Sequence, residues 1–340
     1  MAVWDITSYA YRGISFSFST ETVAPEDIFF KDDGTKMFVL GSAGGDINEY
    51  SLSTAWDVST ATFTDSVTLF SDIDDGEVDT NGLVIGDNGL KLYVCVLVQA
   101  NSFVVELDLS TAWDISTVSY LEELSVFSQD TIPISVKFND AGTKMFVLGS
   151  AGDDINEYAL STAWDVSTAT FTDNFSISSQ TTSPESMAFG DSGSKVYVAD
   201  TTDVYEYSLS TAYDISTASF VDSLNVSAQD TSVQGVFFRP NGNSFYVSGS
   251  VNNAIFEYIQ PTIIDAIATI AGTSTFTAFS TIAETEATMS GTSTFAAVGD
   301  IIQAAGGRAV DEANAGGTNV ALSVSINSAI TEPANPSGNT

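Results

Sequence analysis

The chain has 340 residues, 44% of them hydrophobic, and its 44 acidic and 9 basic side chains give a formal net charge of −35. A surface this acidic repels phosphate backbones and anionic lipids, which excludes nucleic acids and membrane surfaces as partners. The absence of histidine excludes catalytic triads that contain histidine and metal sites with histidine ligands, and a single cysteine excludes an internal disulfide.

The first residues, Met1-Ala2-Val3-Trp4-Asp5, lack the basic region and apolar core of a signal peptide. No stretch is long and apolar enough to span a membrane. We therefore expect synthesis in a cytoplasm without membrane insertion. Because salt screens the self-repulsion of an acidic surface, this composition suits a saline environment, and we hypothesise a marine source.

A unit of about fifty residues recurs along residues 1–260. It begins with a turn and an apolar strand, as in Asp32–Leu40, and continues through Ile47–Thr60, which ends in Ser-Thr-Ala-Trp-Asp-Val-Ser-Thr. The turn glycine recurs at Gly34, Gly89, Gly142, Gly193 and Gly242. Each unit reads as four short strands separated by glycine, asparagine and serine turns, which is typical of an all-β fold.

The beginnings and ends of the units are offset along the chain. The segment Val3–Thr7 is the end of a unit, and the last unit stops near Tyr258 before it reaches that end. This offset predicts a five-bladed β-propeller closed by its N-terminal strand. We expect residues 3–18 to form the outer strand of the blade built from residues 233–258, which removes an open sheet edge.

The recurring tryptophans allow two interpretations. They could form five aromatic platforms for sugars, as in five-bladed lectins, or each could wedge between blades while the following aspartate caps a turn. Because the surrounding sequence recurs with little change, we assign them to the repeat scaffold: Trp4, Trp56, Trp113, Trp164 and Tyr213. We expect a structural partner, such as the turn lysine, for the recurring glutamates Glu49, Glu106, Glu157, Glu206 and Glu257.

The starts of the inner strands predict a polar ring at the channel mouth, with Ile134 as its apolar member. Its candidate ligand-binding residues are Glu26, Asp27, Asn81, Glu185 and Gln234. Two carboxylates there are compatible with glycoside hydrolysis, which uses an acid with a base or nucleophile. The sequence favours a solvated rim instead, because nothing in it marks either glutamate as having a perturbed pKa. We therefore predict no catalytic residue and no enzymatic activity.

The most acidic loop offers hard oxygen ligands at close spacing, which suit Ca²⁺. Its candidate ligands are Asp72, Asp74, Asp75, Glu77 and Asp79. The spacing misses that of an EF-hand by one residue, so a solvated acidic loop is the alternative. No other cofactor is predicted.

The composition changes after Pro261, where alanine, threonine, serine and glycine dominate. We predict short β-strand repeats over residues 261–303, built on two Gly-Thr-Ser-Thr-Phe sequences, and a flexible or partner-ordered tail over residues 304–340. Segments so poor in large apolar residues cannot form a core alone. We therefore interpret residues 261–340 as a β-rich extended arm that assembles with copies of itself or with another protein; a passive tail is the alternative.

The turn-strand sequence Asp-x-Gly-x-Lys-Met-Phe-Val resembles the YVTN-type propeller repeat. The longer sequence Glu-Tyr-x-Leu-Ser-Thr-Ala-Trp-Asp is similar to repeats in structural proteins of marine tailed phages, and the Gly-Thr-Ser-Thr-Phe repeats are similar to those of phage tail and virion proteins. The resemblance implies a bacteriophage virion structural protein for adhesion, located at the virion surface as a tail fibre, tail appendage or capsid decoration. The resemblance assigns no catalytic residues to this sequence.

The predicted function is accordingly a non-enzymatic virion module, with other virion proteins and host-surface glycan as partners. Residues 36–65 and 144–173 differ only at Gly45/Asp153 and Ser51/Ala159, and such similarity is typical of a scaffold. Two alternatives remain open. One is a lectin-like glycan-binding protein of a marine bacterium, and the other is a glycan-cleaving five-bladed propeller enzyme.

Overall fold

The computed structural model describes residues 4–22, 24–42, 45–70, 78–98 and 101–260, and beyond them only the backbone of five short strands. Contacts divide the chain into two units, Met1–Gln260 and Pro261–Thr340. The first unit consists of five four-stranded antiparallel sheets. The prediction of an all-β, five-bladed propeller is confirmed.

Each blade runs from an inner strand at the channel to an outer strand at the perimeter. Blade one consists of β2 (Pro25–Phe30), β3 (Lys36–Gly41), β4 (Asp46–Leu52) and β5 (Ala61–Thr68), and blade two of β6 (Val78–Gly86), β7 (Lys91–Val98), β8 (Asn101–Leu109) and β9 (Val118–Ser125). Blade three consists of β10 (Pro133–Phe138), β11 (Lys144–Gly149), β12 (Asp154–Leu160) and β13 (Ala169–Ser176), and blade four of β14 (Pro184–Gly190), β15 (Lys195–Asp200), β16 (Asp203–Leu209) and β17 (Ala218–Asn225). Blade five consists of β18 (Val233–Phe238), β19 (Ser244–Gly249), β20 (Ala254–Ile259) and, as its outer strand, the N-terminal β1 (Ala10–Ser17).

Short 3-10 turns connect these strands. Five follow the Trp-Asp or Tyr-Asp pairs, and two form the turns between the first and second strands of blades two and four. The first set is Ile6–Ser8, Val58–Thr60, Ile115–Thr117, Val166–Thr168 and Ile215–Thr217, and the second is Asp87–Gly89 and Asp191–Gly193.

The N-terminal strand closes the ring as predicted. Strand β1 pairs antiparallel with β20, with Ala10 opposite Ile259 and Ser17 opposite Ala254. The turn before it reaches blade four, because the backbone N–H of fully buried Ile6 donates to Glu206 at 2.7 Å. The segment thus fills the outer edge of blade five and also joins it to its neighbour.

Blade faces pack on one another, and for this reason the second strands are apolar on both sides. Met37, Phe38, Val39 and Leu40 of β3 are all fully buried. The inner strands contact their neighbours around the ring, β2 with β6 and β18, and β10 with β6 and β14. All five therefore start at one end of the central channel and finish at the other.

The Trp-Asp segments lie between adjacent blades. Trp113 of blade two stacks on Phe29 of blade one, with ring centroids 6.4 Å apart. Its indole also lies under the turn of its own blade, where a Cβ added to Gly89 would come within 2.3 Å of the ring. Four of the five aspartates that follow these aromatic residues cap a 3-10 turn, as where Asp57 accepts from the N–H of Ser59 at 3.1 Å, and Asp214 accepts from the Ser216 hydroxyl instead.

The recurring glutamates bind the turn lysines, and in blade five an arginine from β1 takes the place of the lysine. The ion pairs are Lys36–Glu49 (2.7 Å), Lys91–Glu106 (2.6 Å), Lys144–Glu157 (2.7 Å), Lys195–Glu206 and Arg12–Glu257 (2.9 Å). A second oxygen reaches the next blade, as where Val166 N–H donates to Glu106 at 2.9 Å. These charge-assisted bonds hold adjacent blades together.

In the second unit the strands are β21 (Ala266–Ala271), β22 (Thr275–Ala278), β23 (Thr285–Ser290), β24 (Thr294–Ala297) and β25 (Leu322–Ser323). Strand β21 pairs in parallel with β23, β22 pairs in parallel with β24, and β25 pairs antiparallel with β23. The assembly role of this unit stays a prediction. Among the described residues, no helix is long and apolar enough to cross a membrane.

Candidate active site at the channel mouth

Bulges at the starts of the inner strands shape the channel mouth. In β2, β10, β14 and β18 one residue has no partner in the ladder, because pairing skips from the residue before it to the residue after it. A bulge redirects its side chain relative to the sheet. The residues at these bulges are Glu26, Ile134, Glu185 and Gln234.

Blade two departs from this pattern. Its bulge falls at Gly82, and the predicted mouth residue Asn81 pairs with Cys95 in the ladder. Gly82 has a φ of 58°, and a Cβ there would lie 2.6 Å from the Cα of Ser135. Glycine permits both this backbone conformation and the close approach of blade three.

Glu26 lies half-buried at the mouth. Burial raises its pKa to about 7, and the negative charges of Glu185, Asp79 and Asp27 act in the same direction. A hydrogen bond from Ser42 stabilises the ionised form and opposes the rise. Burial and the charge on Glu185 both favour the protonated form, because an ionised group loses hydration there and meets a like charge.

Glu185 has the same property. Burial raises its pKa to about 7, and the charge of Asp200 adds to the effect. Blades one and four are not neighbours in the ring, so Glu26 and Glu185 reach the mouth from separate blades, and the charge of Glu185 acts on Glu26. Two interacting carboxyl groups with similar pKa values lose their protons as a pair. Near neutral pH one member can hold a proton while the other is ionised, which is the arrangement that acid–base catalysis requires.

Asp27 lies deeper than predicted. Its side chain is fully buried and accepts hydrogen bonds from Leu83 N–H at 2.8 Å and from Ser186 Oγ at 3.2 Å. The ammonium of Lys137 binds it at 3.0 Å and also donates to the Leu83 carbonyl at 3.1 Å. Asp27 is therefore held by blades two, three and four and is not available to a ligand at the mouth.

Lys137 was missed in the sequence analysis, although a signal for it exists. It stands at a repeat position where the other blades have Phe29, Val84, Ala188 and Phe237. A lysine at an otherwise apolar position needs a buried partner. The sequence repeat does not reveal that partner, because Asp27 approaches from the other side of the channel.

The other predicted site residues are more scattered. Gln234 lies at the mouth and donates to the carbonyl of Val233 at 2.8 Å. The calcium ligands Asp72, Asp74, Asp75 and Glu77 fall outside the described residues, whereas Asp79 is exposed in β6. The calcium site stays a prediction.

A comparison with protein-family models gives no match, and a comparison with curated proteins gives none. Solved structures do match the fold. A luciferin-regenerating enzyme has a TM-score of 0.46 and 12% identity, over 72% of this chain and 94% of that one. The allergen Mala s 1 of Malassezia sympodialis has a TM-score of 0.45 and 10% identity, over 69% and 92%. The periplasmic gluconolactonase of Pseudomonas aeruginosa has a TM-score of 0.39 and 12% identity, over 67% and 64%.

These matches correct one prediction. Two of the three similar structures are named as enzymes, and this contradicts the prediction of no enzymatic activity. That prediction also depended on ordinary pKa values for Glu26 and Glu185, and both are raised. The similarity itself concerns the fold alone. The resemblance to phage virion repeats, the marine source, the virion location and the assembly partners stay predictions.

Proposed function

We propose that this chain is a hydrolase of glycosidic bonds, with Glu26 and Glu185 as its acid–base pair. The observation that supports this proposal is that burial raises the pKa of both carboxyl groups to about 7 at a single channel mouth. Glycoside hydrolysis uses two carboxyl groups on opposite sides of the scissile bond. One protonates the leaving oxygen, and the other activates water or attacks the sugar carbon.

The surroundings of the pair suit a neutral, hydroxyl-rich substrate. Gln234 adds an amide at the rim. Amides donate to and accept from sugar hydroxyls. A polyanionic substrate does not fit, because the net charge of −35 repels it.

The positions of the two glutamates do not by themselves assign acid and base. Asp200 adds negative charge beside Glu185, and Ser42 stabilises the ionised form of Glu26 by a hydrogen bond. Glu26 is therefore our candidate for the base or nucleophile, and Glu185 is our candidate for the acid. We base this assignment on the hydrogen bond from Ser42, which opposes the larger effects of burial and of the charges on Glu185 and Asp79 on the pKa of Glu26.

The test is release of reducing ends from a panel of neutral polysaccharides by the full-length protein. We expect Glu26→Gln and Glu185→Gln each to lower kcat at least a hundredfold, because each variant removes one acid–base group. The control is Glu123→Gln, which makes the same chemical change at an exposed position of β9. For Glu185→Gln, substrates with good leaving groups should recover part of the rate, because they need little protonation.

Three outcomes are informative. Cleavage that both mouth variants abolish and the control retains supports the proposal. Cleavage that survives in both variants contradicts it. Glycan binding without cleavage also contradicts it and favours the lectin-like alternative.

A further inference from the structure

A cavity lies at the end of the channel opposite the mouth. It has a volume of about 670 Å³ and is lined by the ends of the inner strands and the turns that follow them. The glutamates at the mouth belong to the starts of those strands, and the Asp27–Lys137 pair lies between the two sites. The cavity is therefore separate from the candidate active site.

Aromatic rings form much of the cavity wall. Trp113 lies beside Phe29, Trp164 lies 5.2 Å from Phe138 between ring centroids, and Tyr213 lies 5.2 Å from Phe189. The two tryptophans and the tyrosine are only half-buried, so part of each ring faces the open volume. A cavity of several hundred cubic ångströms with aromatic walls is of a size and character suited to a small ligand.

Carboxylates surround these rings at one position of the repeated turn. Four blades place an aspartate there and blade five places a proline, and all five line the cavity: Asp32, Asp87, Asp140, Asp191 and Pro240. Burial raises the pKa of Asp32, and the charges of Asp33 and Asp140 add to the effect. The lining carboxylates therefore share one region of negative potential.

The basic side chains near the cavity already have binding partners. Among the described residues that line it, Lys137 is the one base, and its ammonium binds Asp27. Lys31 beside the rim binds Asp33 at 2.7 Å, and Arg239, at the same repeat position in blade five, lies over the ring of Trp56 with its guanidinium carbon 4.9 Å from the ring centroid. Tyr213 donates to Asp140 at 2.8 Å, which orients that carboxylate without neutralising it.

A single metal ion does not fit this arrangement. Among the described residues, the one group of three carboxylates close enough to share an ion is Glu106, Glu122 and Asp165, which lies elsewhere. The rim carboxylates are spread around four blades. A ligand that meets several of them must be extended and must carry more than one positive charge.

We propose that this cavity binds an organic cation in which an alkyl chain joins two or more ammonium groups. The ammonium groups bind the rim carboxylates, and the alkyl chain lies against the exposed edges of the aromatic side chains. A sugar would use the same walls, but it gains nothing from the charge of the rim. The observations therefore favour the polyamine.

The test is calorimetric titration of the full-length protein with spermidine, an alkyl triamine. The variants Asp87→Asn and Asp191→Asn each remove one rim charge and keep the turn, because asparagine tolerates the φ values of 46° and 49° found there. We expect each variant to weaken binding about tenfold. The control Asp65→Asn removes the same charge at an exposed site on β5 and should leave the affinity unchanged.

An equal loss of affinity in Asp65→Asn overturns the proposal, because it identifies general attraction to an acidic surface. Binding of a neutral sugar at this cavity in place of spermidine also overturns it, as does the absence of any binding. The Glu26→Gln variant should bind spermidine like the wild type. Failure at this cavity is thereby distinguishable from failure of the proposed hydrolase.

Discussion

Glu26 should make the stability of the propeller depend on pH in a way that a single substitution removes. Its pKa rises from the ordinary 4.5 to about 7 in the folded state. The folded state therefore holds this proton at pH values where the unfolded chain has lost it, and the free energy of unfolding falls as the pH rises from 4.5 to 7. The pKa difference corresponds to about 3 kcal/mol, an upper bound because water reaches the mouth.

Replacing Glu26 with glutamine removes that loss. Relative to the wild type, Glu26→Gln should therefore gain stability as the pH rises, by about 1–3 kcal/mol between pH 5 and pH 8. Urea denaturation followed by tryptophan fluorescence at the two pH values measures the difference. The exposed control Glu123→Gln should show little change. A difference between Glu26→Gln and the wild type that is the same at pH 5 and pH 8 would refute the reasoning.

Two further predictions concern the channel and the ring. Lys137→Met leaves Asp27 buried without its counter-charge, and should lower the free energy of unfolding, measured by urea denaturation, by about 3–5 kcal/mol. The double variant with Asp27→Asn should recover most of this loss, and no recovery would contradict a charge-based account. Deletion of residues 1–18 exposes the edge of β20 and removes the β1 partner, and should lower the melting temperature of the whole ring; melting at the wild-type temperature would contradict closure by the N-terminal strand.

The fold was predictable because its repeats carry the information locally. The turn glycines, the apolar second strands and the Trp-Asp pairs each report on contacts that recur in every blade. The offset between the first and last units was enough to predict pairing of β1 with β20. The lysine partner of the recurring glutamates could be proposed because both residues recur in the same unit.

The outer strands were harder to predict. The alternating sequence around Phe63 suggests one wet face and one buried face. In the structure Phe63 is 43% exposed and the equivalent Phe171 is 41% exposed. Both pack edge-on against a tyrosine of the third strand, Tyr50 and Tyr158 respectively, and each lies on the last strand of its sheet. The alternation of a perimeter strand thus does not by itself measure burial.

The candidate site was predictable in its residues but not in its chemistry. Glu26 and Glu185 were identified from their repeat position, whereas their pKa values depend on burial and on nearby charges, which for Glu26 include charges from other blades. Asp200 acts on Glu185 across adjacent strands of blade four, whereas Lys137 entered the description only when distant blades came together. A repeat alignment compares equivalent positions, but the channel joins positions that are not equivalent.

The most direct test of the acid–base pair is a carbon NMR titration of protein labelled at the glutamate carboxyl groups. Our account predicts two resonances that titrate near pH 7 and that disappear one at a time in Glu26→Gln and Glu185→Gln. Glu185→Gln should also lower the pKa of Glu26, because a like charge is gone. Titration of both carboxyl groups near the ordinary value of 4.5 would contradict the account.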